Sequence, residues 1–367
     1  MFNLVSFYFK TFFKSAKNLI PMALLSLLII GYCVSFNVER SSRPDYSIAH
    51  FPTLIQHAEE TQIKINNFQN EISMAYSEQD WKTFYDKTIK YYQFSLDNNL
   101  DYSQDYLVKE IARYKFLQKE NIPFIEEGLR NDALLFLKYL LFEPIVLLIL
   151  VIVLISSSQI FSSEIENKTY KILYTQPISK TKILISKLLS IILINFVIIF
   201  STILLCFLYQ WITKDLGYPN FLLDTKLSGG TYITLIKYVL YEVALLSVLI
   251  VFTCCIGVFI SLLINNSSAS ICVSTVLYGL LYILFRNNPT SLIQKYNPCA
   301  YLDIDRLLCD SPISKLDLML TKDPLIGCMG NSVSLENIEL LYGIFFFSIC
   351  IIFMIFVNVF LINKKRL

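Results

Sequence analysis

Six apolar blocks, each long enough to cross a hydrocarbon core as a helix, constrain this chain more than any other feature. They run over residues 19–36, 134–160, 184–209, 235–263, 268–285 and 340–362, and one helical crossing takes about 20 residues. Lipid offers the backbone no water, so a spanning segment must satisfy its own N–H and C=O groups. A helix does this, and no ten-residue alternation marks barrel strands. The chain is 55% hydrophobic and 16% charged, with a mean hydropathy of +0.54. Soluble domains carry about 25% charge, so a soluble globular domain is excluded. Ten glycines and eleven prolines in 367 residues are too few for a collagen-like or low-complexity chain. The expected fold class is all-α: a polytopic membrane protein with six transmembrane helices, an N-terminal amphipathic interfacial helix and a helical extracellular domain.

Orientation follows from how the charge is distributed. The net charge is only +2, but residues 1–18, 161–187 and 363–367 together hold eleven basic and two acidic residues, or +9. Segment 37–133 carries −5, segment 210–234 is neutral and segment 286–339 carries −2. The positive-inside rule then predicts both termini in the cytoplasm, with six crossings between them. The first apolar block is long and lacks a small-residue cleavage site, and Tyr32 is too large to precede a lipid-modified cysteine. It is expected to remain as an anchor.

Between the spans lie segments of different character. Residues 1–18 place Asn3, Ser6, Lys10, Lys14 and Lys17 on one face and phenylalanines on others, the pattern of a cytoplasmic elbow helix lying in the interface. A frayed extension is the alternative. Segment 37–133 has no glycine before Gly128, and its apolar residues follow helical spacing: Ile65, Phe68, Ile72 and Ala75; Trp81, Phe84, Tyr85 and Thr88; Tyr106, Leu107, Ile111 and Tyr114. Asp80 and Ser103 are expected N-caps, and Asn98-Asn99 a break. Segments 210–234 and 286–339 read as extracellular loops, the second with short helices between its prolines, and 363–367 as a cytoplasmic tail. His50 and His57 have no metal-ligand spacing, and six of the nine cysteines lie in apolar blocks. No metal site is expected, and at most one disulfide among Cys299, Cys309 and Cys328.

Motifs for chemistry are absent. No glycine is followed by lysine, so no phosphate-cradling loop exists, and GxSxG and HExxH are missing. No catalytic residues are assigned. Intramembrane charge remains: Lys138 and Glu143 in the second block, Lys237 and Glu242 in the fourth, both pairs spaced by five. They read as interhelix pairs, snorkelling side chains, or the lining of an outer vestibule.

The inner segment 161–187 contains Glu164, Glu166, Lys168, Thr169, Ile172, Leu173, Pro177, Ser179, Lys180 and Lys187. It reads as a charged exit from the second span, a short helical turn with Glu164 and Lys168 at i, i+4, a stop at Pro177, and a start that Ser179 can cap. An apolar ridge of Thr169, Ile172 and Leu173 suits a groove on a cytoplasmic partner, and an ordinary solvated loop would read the same way.

This segment resembles the ABC-2 type permease family, the membrane subunits of bacterial ABC exporters. The family pattern is an acidic residue, Gly-Thr, a leucine four residues later, Pro, an apolar residue, Ser, Arg, and a Lys opening the third helix. Glu164, Thr169, Leu173, Pro177, Ile178, Ser179 and Lys187 match in order and spacing. Lys168 stands where glycine is usual, Lys180 replaces arginine and Ser186 replaces a common glycine. The large segment after the first helix occurs in only some members. The resemblance implies a dimer, of this chain or with a second permease, resting on separate ATP-binding subunits. Loop 161–183 would supply the coupling helix, with Glu164, Glu166, Thr169, Leu173, Pro177, Ser179, Lys180 and Lys187 as its residues. The chain itself would bind no cofactor, since ATP and Mg would reside in the partner, and no nucleic acid.

Two functions follow as expectations. One is export of a lipophilic or amphipathic substrate, such as an antimicrobial peptide or drug, engaged through the acidic, tyrosine-rich outer segment, which could equally serve only to pack on a dimer mate. The other is a non-transporting membrane sensor or signalling scaffold with an extracellular ligand-binding domain.

Overall fold

The computed structural model describes residues 2–14, 16–41, 59–98, 100, 104–124, 131–169, 178–224, 232–287, 292–302, 307 and 340–364. Twelve α-helices occur among them: α1 (Phe2–Lys14), α2 (Ala16–Ser41), α3 (Glu59–Ser77), α4 (Trp81–Asp97), α5 (Gln104–Lys119), α6 (Ala133–Leu140), α7 (Glu143–Ser158), α8 (Ser162–Glu166), α9 (Lys180–Thr213), α10 (Leu235–Leu263), α11 (Ser267–Asn287) and α12 (Leu340–Lys364). Six helices are long and apolar enough to span a membrane: Leu19–Asn37, Glu143–Glu166, Lys180–Thr213, Leu235–Leu263, Ser267–Phe285 and Leu340–Lys364. The fold is an all-α polytopic membrane protein. His50, His57, Ser103, Asn99, Ile172, Leu173, Pro177, Cys309 and Cys328 lie outside the described residues.

The chain forms two compact units. The first comprises residues 1–34, 137–209 and 239–367. Its centre is α7 and α10, whose buried residues occur on every side, as expected of helices enclosed by others. Gly257 lets them approach: a Cβ there would lie 1.9 Å from Ser157 Oγ. Other helices bury one stripe. In α2, Met22, Leu25, Ile29 and Cys33 face inward while Ile20, Leu24, Leu27 and Ile30 are exposed, a spacing that keeps one helical face on the protein and one on lipid. On α12, Phe347 packs on Phe252 and Tyr301, while Phe345, Ile352, Phe353 and Phe356 are exposed. Buried amides add specific pins: Asn358 Nδ2 donates to Cys255 O at 3.1 Å, and Asn195 Oδ1 accepts from Ser156 Oγ at 3.3 Å.

The expected single helix over 134–160 is two. α6 stops at Leu140, Phe142 is extended, and α7 begins at Glu143 with Pro144 in its first turn. A continuous helix would drive the Pro144 ring into the carbonyl of residue 140 and lose an N–H donor.

Residues 292–302 form two 3₁₀ turns, Leu292–Tyr296 and Pro298–Tyr301. Gln294 and Asn297 donate to the carbonyls of Leu284 (3.0 Å) and Leu281 (2.8 Å) in the last two turns of α11, and the Leu284 carbonyl is one of the four at the helix end that have no donor within the helix. Tyr301 lies over Gly343, where a Cβ would meet its ring at 2.1 Å. Burial, reinforced by the charge of Glu143, pushes the Cys299 thiol up to about 12.

The second unit comprises residues 35–136 and 210–238. Its core joins α3, α4 and α5 through Ile65, Ile72, Phe84, Tyr85, Leu107 and Tyr114, all buried, while Trp81 is half-buried and Tyr106 exposed. Asp80 caps α4 as its position predicts: its carboxylate accepts from Thr83 N at 3.2 Å and from Thr83 Oγ1 at 2.6 Å. Those bonds hold its carboxyl below the usual carboxylate range. Burial pushes the Tyr114 phenol up to about 12 and raises that of Tyr85, whose hydroxyl donates to Ile122 O at 2.6 Å.

Segment 210–234, expected to be a loop, contributes an antiparallel pair, β1 (Leu222–Asp224) and β2 (Tyr232–Thr234), with Leu223 opposite Ile233. Tyr232 Oη donates to Glu110 Oε1 at 2.6 Å, and the Arg113 guanidinium sits 5.6 Å from the Tyr232 ring. Asn37, Asn131 and Gln210 close a ring of amides: Asn37 donates to Gln210 (2.9 Å), Gln210 to Asn131 (2.6 Å) and Asn131 to Asn37 (3.2 Å).

Candidate coupling site

The candidate site is the short helix α8 and what holds it in the first unit. The first N–H groups of any helix lack intrahelical acceptors. Here one side chain serves two donors: Ser261 Oγ, at the end of α10, accepts from Phe161 N at 2.8 Å and Ser162 N at 2.9 Å. Ser162 Oγ donates to Ser158 O at 3.0 Å, so α8 is also tied to the end of α7.

The other end of α8 is closed by backbone. Thr169 N donates to Glu164 O (3.0 Å) and Lys168 N to Ile165 O (3.1 Å), while Lys168 has φ of 56°. This is the Schellman arrangement, with its 6→1 and 5→2 bonds and a left-handed residue between them. The chain has therefore left the helix before Lys168, and the expected i, i+4 pairing of Glu164 with Lys168 is replaced. Glu164 pairs with Lys187 of α9, 23 residues away.

Lys187 is fully buried. Its ammonium lies 4.2 Å from the Phe161 ring centroid and 5.3 Å from that of Tyr8 on α1, so the cation meets one carboxylate and two aromatic faces. Val5 O accepts from Ser190 Oγ at 3.2 Å, one turn further along α9. Removing one partner of such a buried pair typically costs about 3–5 kcal/mol, because the other charge is stranded. The third anchor is Glu166, whose carboxylate accepts from both the backbone N–H (3.0 Å) and the hydroxyl of Ser267, first residue of α11. Three spans thus hold one five-residue helix: α9 through Lys187, α10 through Ser261 and α11 through Ser267.

A family model described as "ABC-2 family transporter protein" matches residues 8–315. The chain belongs to the ABC-2 transporter family. No curated protein and no solved structure matches it. As an ABC-2 protein it is a multi-pass membrane permease. The match runs from Tyr8 through α8 and Lys187 and on past Ser267, so every anchor described above falls inside it. The geometry also gives a physical reason for the glycine usual before the threonine in the ABC-2 pattern: that position is the left-handed residue of the helix stop, here filled by Lys168.

The remaining ABC-2 pattern residues are placed as follows. Thr169 is exposed, with its hydroxyl 3.3 Å from Glu164 O. Leu173 and Pro177 fall outside the described residues. Ser179 precedes α9 and its carbonyl accepts from Ile183 N at 3.2 Å, as an N-cap residue's does, while its hydroxyl takes the Thr181 hydroxyl at 3.3 Å. Lys180 is partly exposed at the first position of α9.

The two charge pairs spaced by five are not equivalent. Glu143 is buried at the start of α7 and accepts from Tyr282 Oη at 2.8 Å, whereas Lys138, also buried, belongs to α6 before the break. Lys237 and Glu242 share the unbroken α10, the lysine exposed and the glutamate buried. Sequence reasoning did not single out Tyr8, Phe161, Ser261 or Ser267. Only Ser267 carried a local signal, since it follows Asn266, whose side chain accepts from Ala269 N at 3.0 Å as a helix cap.

Proposed function

We propose that this ABC-2 permease exports a lipophilic or amphipathic substrate with ATP hydrolysed by a separate subunit, and that segment 161–183 is where that subunit engages it. The observation that carries the reading is the anchoring of α8: a short helix at the mouth of a loop is held by three spans, so a push on the loop has a rigid path into the bundle. The basic segments 1–18, 161–187 and 363–367 support placing this end of the bundle, with both termini, in the cytoplasm. The −5 charge of residues 37–133 and their tyrosines suit a cationic amphipathic molecule at the other face, a peptide among them. ATP and Mg belong to the partner in this reading, and a second permease copy completes the unit.

The test is purification of the tagged full chain in lipid nanodiscs. An ATP-binding subunit should accompany it, and its turnover should fall at least tenfold in Leu173→Asp or Pro177→Gly with membrane insertion unchanged. If no ATPase accompanies the wild-type chain, the transporter reading is wrong and a sensor or scaffold takes its place.

A further inference from the structure

The three anchors of α8 differ in one respect that bears on how motion would travel. The Lys187 ammonium is fully buried and enclosed by Glu164, Phe161 and Tyr8, and Ser261 Oγ is buried beneath two N–H donors. Water cannot easily replace either set of contacts. Glu166, by contrast, is exposed and Ser267 partly so. Both of their hydrogen bonds face solvent, where water can take the place of either partner and parting costs less than it would in a dry interior. Two anchors are therefore fixed and one is releasable.

The releasable anchor is also placed where its state matters. The Glu166 carboxylate sits at the first N–H of α11, where a negative charge favours the helical conformation of the first turn. Beyond that turn, Ser270 Oγ donates to Ser158 O at 2.6 Å, Tyr278 Oη and Thr253 Oγ1 lie 2.5 Å apart, and Tyr282 donates to Glu143. Contacts with α7 and α10 thus hold α11 along its length, and Glu166 holds its starting end.

We propose that the Glu166–Ser267 contact is a releasable clasp that sets how strongly displacement of α8 is passed to α11, making Glu166 a positioning residue for transport and not a docking residue for the ATPase. This rests on the permease reading above. Engaged, the clasp moves the start of α11 with α8. Released, α8 still rides on α9 and α10, and its remaining tie to the start of α11 is the Ser158 carbonyl that Ser162 Oγ and Ser270 Oγ share, so α11 follows less closely.

The experiment uses the full chain with its accompanying ATPase in nanodiscs, reading amide hydrogen exchange over residues 266–275 with and without ATP plus orthovanadate. In the wild type, trapping the nucleotide should change exchange there at least fivefold. Glu166→Ala and Ser267→Ala should each reduce that response to less than half and the double variant no further than Glu166→Ala, while Ser267→Thr, which keeps the hydroxyl, retains it. The amount of ATPase recovered should be the same throughout. A full wild-type response in Glu166→Ala and Ser267→Ala overturns the clasp and leaves the permease reading standing. Loss of the ATPase from Glu166→Ala alone overturns it by making Glu166 a docking residue. Absence of an ATPase from the wild type overturns both.

Discussion

Among the described residues, three helices end on a left-handed residue that is not glycine: Gln79 after α3, Asn121 after α5 and Lys168 after α8, with φ of 56°, 51° and 56°. Each completes the same pair of bonds, as in Asp80 N to Ala75 O and Gln79 N to Tyr76 O, both 3.0 Å, after α3. An L-residue with a Cβ pays about 1–2 kcal/mol to stand there, and glycine does not. Lys168→Gly is therefore expected to stabilise the α8 turn by up to about 1 kcal/mol after the extra flexibility of glycine is deducted. Slower exchange of the Thr169 amide would show it, and Lys168→Val should act in the opposite direction. This is also where the sequence was least legible. Without a glycine, nothing local marked the stop, so the turn read as continuing toward Pro177 and Glu164 read as pairing with Lys168. Its partner Lys187 is 23 residues away, and only the fold brings the two together.

At the level of elements, apolar length sufficed to find the spans because burial and lipid make the same demand of a helix: about 20 residues without unpaired backbone. Length did not show the break between α6 and α7, although Pro144 was there to mark it, because the apolar run continues across it. Nor did it show the pairing of β1 with β2, whose three-residue strands are too short for any alternation to register. Packing between spans depends on single positions that hydropathy does not distinguish. Gly257 faces Ser157 at a distance no side chain can share, while a Cβ added at Gly31 or Gly279 would meet nothing within 4 Å. Gly257→Val should thus lower the thermal unfolding midpoint of the purified protein by several degrees, consistent with an overpacking cost of about 1–3 kcal/mol. Gly31→Val and Gly279→Val should leave it nearly unchanged. Equal losses at all three sites would mean that helix propensity, and not the α7–α10 contact, sets the effect.

For the whole molecule, membrane class and family were legible because both rest on properties of long stretches: six apolar blocks and a motif of matched spacing lying within residues 8–315. The division into units was not, because the second is discontinuous. Residues 35–136 and 210–238 share one core and are separated in sequence by part of the first unit, including α7 and most of α9. This has a consequence for the order of events on the ribosome. Glu110 is made more than a hundred residues before Tyr232, the residue whose hydroxyl it accepts. At about 5–20 residues per second the interval is on the order of 5–25 s. During it α3, α4 and α5 exist without β2, and Asn37 and Asn131 wait for Gln210. Nascent chains arrested with residue 209 as the last one inserted should leave the 59–124 fragment open to protease, and chains extended past residue 238 should protect it. The second unit is then a late product of synthesis although most of its residues come early, and any quality check on this protein in the membrane has that interval in which to act.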